Sequence, residues 1–298
     1  MMSTTADKDI TYVLHLNKEQ SIYHYKAEVY TRIKKGETAF FSKIKMPFSL
    51  RCEGAVSTKA IQFRLTHLQR VMVDEKGFPL KKLSKARQIA LKVATINDEL
   101  VFEVSSSFEI LRVVNTSQVR EKWEEMKPRL VGTYPDIKKE WLPDFEWQLR
   151  EENIQDLYKK DTFYAFLFAG IFNTGLSPYK AVKEPGWLNN AVGSVSLPLT
   201  VHKKLKDFYR ILDTGRLEFS GKPDSEHPKF PLQKLNVFTG NLTPETGSEH
   251  KLSFKYNGYY NLKPKSGRID GGALKIDIAI GDLYRKETDI HLKMLHHE

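Results

Sequence analysis

Cysteine is almost absent from this chain of 298 residues, in which Cys52 is the only one. A single cysteine excludes an internal disulfide and any zinc site built from several cysteines. Cys52 lies within an alternating apolar series, where a small buried thiol is the expected role. The sequence therefore predicts a fold that is held together without disulfides.

Long apolar runs are also missing. The most apolar run, KDTFYAFLFAGIF at residues 160–172, is shorter than the about 20 residues that a membrane-spanning helix needs. We therefore expect no transmembrane segment. The first residues, MMSTTADKDITY, lack the basic and apolar regions of a signal peptide. The sequence predicts a cytoplasmic protein, or one assembled or released without a classical signal peptide, and an exported one only if a signal was removed beforehand.

The motifs of common enzyme families are missing as well. The chain has no GxxxxGK[ST] phosphate loop, no GxGxxG dinucleotide fingerprint, no GxSxG elbow and no HExxH zinc motif. We therefore name no catalytic, cofactor-binding or metal-binding residue and expect no cofactor. Whether the chain is an enzyme stays open, and the missing motifs favour a non-catalytic role.

Two groups of polar residues are weak candidates for chemistry. His296 and His297 lie at the C-terminus, where a frayed chain is a poor scaffold for a metal site. Glu140, Asp144 and Glu151 are the kind of carboxylates that acid–base catalysis uses. Lysines flank them on short helices, which favours solvated helix faces over an active site.

Alternating apolar and polar residues dominate the first third of the chain. The alternation runs through residues 10–33, 44–52 and 61–73, and a period of two indicates half-buried strands. These strands extend to about a dozen residues, where five or six is typical. They predict a large, curved and strongly twisted antiparallel sheet. Residues 80–96 fit either a basic helix or a strand, since residues 89–95 also alternate, and we favour the strand because Asn97 and Asp98 make a turn into the next strand.

The period changes to that of a helix after Asn115. Asn115 and Gln118 resemble a capping box, and residues 116–173 predict several short helices. The last of these is the apolar run at 160–172, with Asp161 as its N-cap. A helix of roughly a dozen residues without a polar face must be covered on all sides by other elements.

Strand patterns return after an irregular connection at residues 174–194, and residues 220–250 form the longest turn-rich region. The predicted fold class is α+β, with long-stranded, curved antiparallel sheets at both ends of the chain and a central helical insert that contains one fully apolar buried helix. The predicted segments are 1–115 (β), 116–190 (helical) and 191–298 (β), forming one composite domain or two β lobes.

The chain is basic, with 47 lysines and arginines against 37 acids and a pI near 9.3. Residues 1–115 hold 19 basic and 12 acidic residues, and residues 191–298 hold 17 and 13. The excess is thus spread over both outer segments rather than concentrated in a tail. Basic and aromatic residues do mix near residue 260, and a nucleic-acid binder would use Lys255, Tyr259, Lys263, Lys265 and Arg268 as its binding face. Aromatic residues are also good strand formers, which is the competing interpretation.

The apolar helix suggests another kind of site. A long curved sheet covered by a helical segment can enclose an apolar cavity. If this chain does so, Phe163, Phe166, Leu167 and Phe172 are the residues expected to line it. Packing of these side chains into the core is the competing interpretation.

The sequence favours a non-catalytic interaction or structural protein. It would dock to a protein partner, an assembly or a second copy of itself through strand edges and the region 220–250, because exposed edges of long strands readily pair with another chain. The alternative is a carrier of a lipid or other apolar ligand beside the central helix. A further alternative is nucleic-acid binding through the basic face.

Overall fold

In a computed structural model, residues 10–242 and 252–295 are described. The strands are β1 (Tyr12–Val13), β2 (Ser21–Lys35), β3 (Thr38–Ala55), β4 (Ala60–His67), β5 (Val71–Met72), β6 (Glu99–Ser105), β7 (Ile110–Val113), β8 (Gly175–Leu176), β9 (Val182–Val192), β10 (Val195–Tyr209), β11 (Thr214–Pro223), β12 (Leu252–Lys263), β13 (Arg268–Ile280) and β14 (Tyr284–Leu295). The helices are α1 (Lys85–Ala94), α2 (Thr116–Thr133), α3 (Ile137–Glu140), α4 (Leu142–Gln148), α5 (Ile154–Lys159), α6 (Thr162–Leu167) and α7 (Leu232–Gly240), with a 3-10 turn at Thr95–Asn97.

The predicted α+β class with a central helical insert is wrong. The described residues are mostly β, with 48% strand and 22% helix, and twelve of their strands form one antiparallel sheet. Its order is β7-β6-β4-β3-β2-β14-β13-β12-β11-β10-β9, and β5 pairs with β3. The four helices α3 to α6 have only four to seven residues each. The helices of residues 116–173 are few and short, and they do not form a central insert with long strands at both ends.

The apolar helix is shorter than predicted. It spans only Thr162–Leu167, and Asp161 caps it by accepting hydrogen bonds from two backbone N–H groups at 2.9 and 3.0 Å. Phe168 leaves the helical region at φ −97° and ψ 73°, and its ring packs 4.7 Å from that of Phe102. Gly170 follows with φ +60°. Tertiary packing of an aromatic ring therefore accompanies the end of a helix that the apolar pattern alone would continue.

Residues 80–96, predicted as a strand, form a helix instead. Ser84 Oγ caps α1 by accepting a hydrogen bond from the Arg87 backbone N–H at 3.4 Å. Four of the apolar residues of α1, at positions 86, 89, 90 and 93, fall at helical spacing on one stripe. The alternation at 89–95 was misleading because a short apolar run fits both periods.

Asn115 does not cap α2 with its side chain, although the sequence resembled a capping box. Its Oδ1 accepts a hydrogen bond from the Val101 backbone N–H at 2.8 Å, and its Nδ2 donates to Glu99 O at 3.1 Å. The buried amide thus bonds to β6 and fixes the start of α2 against the sheet.

Two segments predicted to be irregular contain regular structure. Residues 182–192 form β9, which is the outermost strand of the sheet on one side. Pro185 fits there because an outer strand has backbone positions that need no ladder hydrogen bond. The predicted loop at 220–250 contains the end of β11 and the helix α7, and its residues 243–250 lie outside the described part of the chain.

The chain forms two compact units, each made of several segments. Within the described residues, unit 1 comprises residues 10–17, 27–45, 171–242 and 252–294, and unit 2 comprises residues 18–26, 46–170 and 295. The division of the sequence at residues 115 and 190 stays a prediction. No helix in the described ranges is long and apolar enough to cross a membrane.

The core of unit 2 is built largely from aromatic rings. Phe163 of α6 meets Phe48 of β3 edge-on, with ring centroids 5.7 Å apart. Trp123 of α2 is 1% exposed and meets Phe145 edge-on at 4.9 Å. Such pairs each add about 0.5–1.5 kcal/mol beyond the area that they bury.

His67 of β4 is a buried polar residue within this core. Its side chain is 6% exposed, and its Nε2 lies 3.4 Å from the Tyr164 hydroxyl oxygen. Burial, assisted by the positive charge of Arg70, lowers the pKa of His67 from 6.5 to about 3. The ring is therefore neutral in the folded protein at physiological pH.

His67→Leu should make the stability of the protein less sensitive to acid. Below pH 6.5 the His67 ring becomes protonated in the unfolded chain, whereas in the folded protein it stays neutral until about pH 3. The wild type therefore loses stability as the pH falls from 6.5 to about 3. The loss approaches about 1.4 kcal/mol per pH unit. Urea unfolding between these pH values should show a smaller slope for His67→Leu, whereas Asn261→Ala, an exposed control without a titratable group, should match the wild type. Equal slopes for all three proteins would contradict the assignment.

Candidate functional site

One face of the sheet of unit 1 is polar and concave. We call this concavity, which has a volume of about 710 Å³, the groove. Residues of five adjacent strands, β10 to β14, contribute to it. The strand register aligns ten of these residues in two rows across the strands. The first row is His202, Ser220, Asn257, Lys275 and Asp289, and the second is Lys204, Glu218, Tyr259, Ala273 and His291.

The alternation of each strand explains why this face is polar. In β13 the side chains of Leu274, Ile276 and Ile278 are at most 3% exposed, whereas Lys275 between them is exposed. Successive side chains of a strand point to opposite faces of the sheet. The apolar residues at every second position therefore face the core, and the residues between them face the solvent. In β12, Tyr260 is buried and the neighbouring Asn261 is exposed, following the same rule.

An arginine lies over a tyrosine in the groove. The guanidinium carbon of Arg216 is 3.8 Å from the centroid of the Tyr259 ring. Arg216 Nε also lies 3.4 Å from Glu218 Oε1. The guanidinium thus has two partners, the tyrosine ring and the carboxylate, and its contact with the ring is worth about 0.5–1 kcal/mol at an exposed site.

The groove carries charges of both signs. Lys204, Arg216 and Lys275 are its cations, and Glu218 and Asp289 are its carboxylates. On the same two strands that supply Lys275 and Asp289, Arg285 bridges Asp277 and Glu287, each at 2.9 Å. The surface therefore offers complementary partners to both acidic and basic groups of a ligand.

The opposite face of these strands is apolar and holds two neutral phenols. Phe219 packs between Tyr256 and Tyr260, with centroid distances of 5.8 and 5.1 Å. Burial raises the pKa of Tyr256 to about 12 and that of Tyr260 well above its ordinary value. These hydroxyls stay protonated and serve as part of the core rather than as acids or bases.

The basic and aromatic face predicted from the sequence is divided in the structure. Tyr259 lies in the groove, and Lys255 is exposed in the same strand. Lys263, Lys265 and Arg268 lie at the turn between β12 and β13. Arg216, Lys204 and Lys275 were missed, although the alternation of β10, β11 and β13 would have placed them on the polar face.

The residues predicted to line an apolar cavity are buried in both units. Phe163, Phe166 and Leu167 belong to α6 of unit 2 and are 7%, 3% and 1% exposed, and Phe172 of unit 1 is 1% exposed. An apolar concavity of about 500 Å³ lies beside α1, and this volume is within the range of small-molecule pockets. Its lining is Lys85, Ala86, Ile89, Ala90, Val93 and Trp141.

The histidines and carboxylates singled out in the sequence lie only partly within the described residues. No group of three or more histidine, cysteine, aspartate or glutamate residues in them is placed to hold a metal ion. His296 and His297 lie outside the described ranges. Asp144 and Glu151 are exposed, and Glu151 lies 3.9 Å from Arg120.

Comparison with known proteins assigns no family. No family model matches the chain, and no curated protein matches it. Among solved structures, one described as lipid–protein interactions in lipovitellin is similar at 10% identity and a TM-score of 0.43, over 92% of this chain and 25% of that one. This chain therefore spans about a quarter of that protein's length. A similarity of this extent assigns neither a ligand nor a residue role.

Proposed function

We propose that this chain is a non-catalytic binding protein and that its groove receives a segment of a partner protein. The observation that carries the proposal is the Arg216 guanidinium lying 3.8 Å from the Tyr259 ring within a concave surface. Arginine and tyrosine are enriched among the few residues that supply most of the energy of protein–protein interfaces.

The charges of the groove favour a protein segment over nucleic acid. Glu218 and Asp289 stand beside Lys204 and Lys275 in the two rows of the groove. A phosphate backbone would be repelled by these carboxylates, whereas a polypeptide presents both signs of charge. The Arg216 guanidinium also covers a face of Tyr259 that a base would otherwise stack on.

Pairing through a strand edge, the mode that the sequence suggested, is better supported at β9 than at β7. Gln155 caps the backbone of β7 by accepting from Val113 N and donating to Val113 O, both at 2.8 Å. β9 lies at the other end of the strand order. It begins one residue after Ala181, which lines the groove, so a partner strand added to β9 would lie beside the groove.

Arg216→Ala combined with Tyr259→Ala should abolish partner capture while leaving the fold intact. Both side chains are incompletely buried, and truncating two residues of an interface hot spot lowers affinity by about tenfold or more each. The measurement is quantitative affinity purification from source-cell extract, followed by titration of the recovered partner against purified protein.

Arg285→Ala is the matched control, because Arg285 is a cation of the same sheet that does not line the groove. Recovery of the same partner by wild type and Arg285→Ala, but not by the double variant, is the expected result. Equal affinity of all three proteins for the partner would contradict the proposal. Tight, steeply salt-dependent binding of single-stranded RNA or DNA, lost in the double variant, would replace it with the nucleic-acid alternative.

A further inference from the structure

The hairpin between β10 and β11 carries aliphatic side chains at its most exposed point. Ile211 is 89% exposed and Leu212 is 69% exposed, and Tyr209, which pairs with Thr214 to close the hairpin, is 55% exposed. We call residues 209–213 the tip. Turn positions usually take glycine or small polar residues, so adjacent isoleucine and leucine there need an explanation other than turn geometry.

Hydrogen bonds hold the tip in place against the neighbouring turn. Asp213 Oδ1 accepts from the Lys265 backbone N–H at 2.5 Å, and Asp213 Oδ2 accepts from Ser266 Oγ at 2.7 Å. Lys265 Nζ donates to Ile211 O at 3.2 Å. The aliphatic side chains are therefore presented by a structured double turn and not by a loose loop.

The carboxylate that makes these bonds is fully charged and already engaged. Partial burial alone would raise the pKa of Asp213, but hydrogen bonds from Ser266 and from the backbone N–H groups of Lys265 and Ser266 hold it below its ordinary value. The nearby charge of Lys263 acts in the same direction. Asp213 therefore stabilises the turn, and its carboxylate is already hydrogen-bonded there.

The ends of the two turns are rich in cations. Residues 206–213 and 263–268 contain five basic residues and two acidic ones, of which Lys265 and Asp213 are bonded within the double turn. The basic residues are Lys206, Arg210, Lys263, Lys265 and Arg268. Exposed aliphatic side chains with cations in the same two turns match the chemistry of an anionic bilayer. Its acyl boundary accommodates the aliphatic side chains, and its headgroups bind the cations.

We propose that the tip is a membrane-docking element that inserts Ile211 and Leu212 into the headgroup–acyl boundary of a bilayer containing anionic lipids. Tyr209, at the base of the tip, is exposed and is of a residue type that favours the bilayer interface. The basic residues of the two turns contact the headgroups. The proposal is independent of the groove, which the tip residues do not line, so failure of one leaves the other standing.

Ile211→Ser combined with Leu212→Ser should reduce vesicle binding by about tenfold or more for each side chain removed from the bilayer. The measurement is flotation of purified protein with vesicles of phosphatidylcholine and phosphatidylserine, compared with vesicles of phosphatidylcholine alone. Wild type should float with the anionic vesicles and bind the neutral ones more weakly. Lys206→Gln combined with Arg210→Gln should lower binding to the anionic vesicles and reduce its dependence on salt.

Leu232→Ser combined with Val237→Ser in α7 is the matched control, because these side chains are 60% and 65% exposed elsewhere in unit 1. This control should bind vesicles like the wild type. The proposal is overturned if the wild type fails to bind anionic vesicles or if the tip variant binds them equally well. It is also overturned if sedimentation without vesicles shows that the wild type is an oligomer and that only the tip variant is a monomer. The tip would then be a contact between copies of the chain.

Discussion

Phe166→Asp should leave the protein without a folded unit 2, whereas Ala165→Asp, one residue earlier in the same helix, should leave it folded. Phe166 is 3% exposed, and Ala165 is exposed. Removing a buried phenylalanine costs about 3–5 kcal/mol, and burying an unpaired carboxylate adds several more. A typical domain has only about 5–15 kcal/mol of stability to lose.

The measurement is circular dichroism and urea unfolding of both variants, with Phe166→Leu as a conservative third. Phe166→Leu should fold and lose about 1–1.5 kcal/mol. A Phe166→Asp protein that folds normally would show that the side chain lines an open cavity instead of the core. That outcome would favour the apolar-ligand alternative.

Native mass spectrometry of the wild type provides the complementary readout for that alternative. We expect no added mass that disappears on denaturation, because Phe163, Phe166 and Leu167 are buried and Phe163 packs on Phe48. A co-purified apolar molecule would contradict this expectation and make the concavity beside α1 the first place to look for it.

Gly258→Val should destabilise unit 1 by about 3 kcal/mol or more. Gly258 lies opposite Phe219 in the register of β11 and β12, and the Phe219 ring occupies the space that a side chain at 258 would need. An added Cβ would lie 2.3 Å from Ala273 O and 2.4 Å from Phe219 Cζ. The first of these is a backbone atom of a paired strand and cannot move without breaking the ladder.

Asn261→Ala in the same strand is the control, because Asn261 is exposed and its truncation should change stability by no more than about 0.5 kcal/mol. Urea unfolding of both variants at one pH measures the difference. A Gly258→Val protein as stable as Asn261→Ala would mean that the packing of Phe219 on the strand is not as close as described. Loss of partner capture in Gly258→Val alone would not bear on the groove, because the variant disturbs the sheet itself.

Local patterns predicted the β character of the chain but not the extent of its helices. The prediction of a β-rich, antiparallel protein without disulfides is confirmed. Residues 80–96 were assigned to the wrong element, because Ile89 and Val93 fit both a strand and a helix and only the Ser84 cap and the packing of α1 decide between them. The helix at 160–172 was predicted too long. The apolar run does not indicate that Phe168 packs on Phe102 and Phe108, and the helix ends at that contact.

The functional surfaces depend on contacts between residues far apart in the sequence. Tyr259 was among the predicted binding residues. Arg216, which covers it, lies on another strand and was not predicted. Lys263 and Lys265 were predicted as part of one basic face with Tyr259, whereas the bonds of Lys265 to the tip place that turn in a different surface. Strand alternation predicts which face a residue occupies, but the register between strands decides its neighbours.

The sequence by itself determined three properties of this protein. Its single cysteine excludes internal disulfides, its alternating residues specify long strands with one apolar face, and its composition makes the surface basic. These properties are local, because they follow from residue type and spacing along the chain. Only the tertiary structure joined twelve strands into one sheet, aligned the two rows of the groove and bonded the tip to its neighbouring turn. Those arrangements depend on pairing between distant segments. The free energy of that pairing cannot be inferred from any short stretch of the sequence.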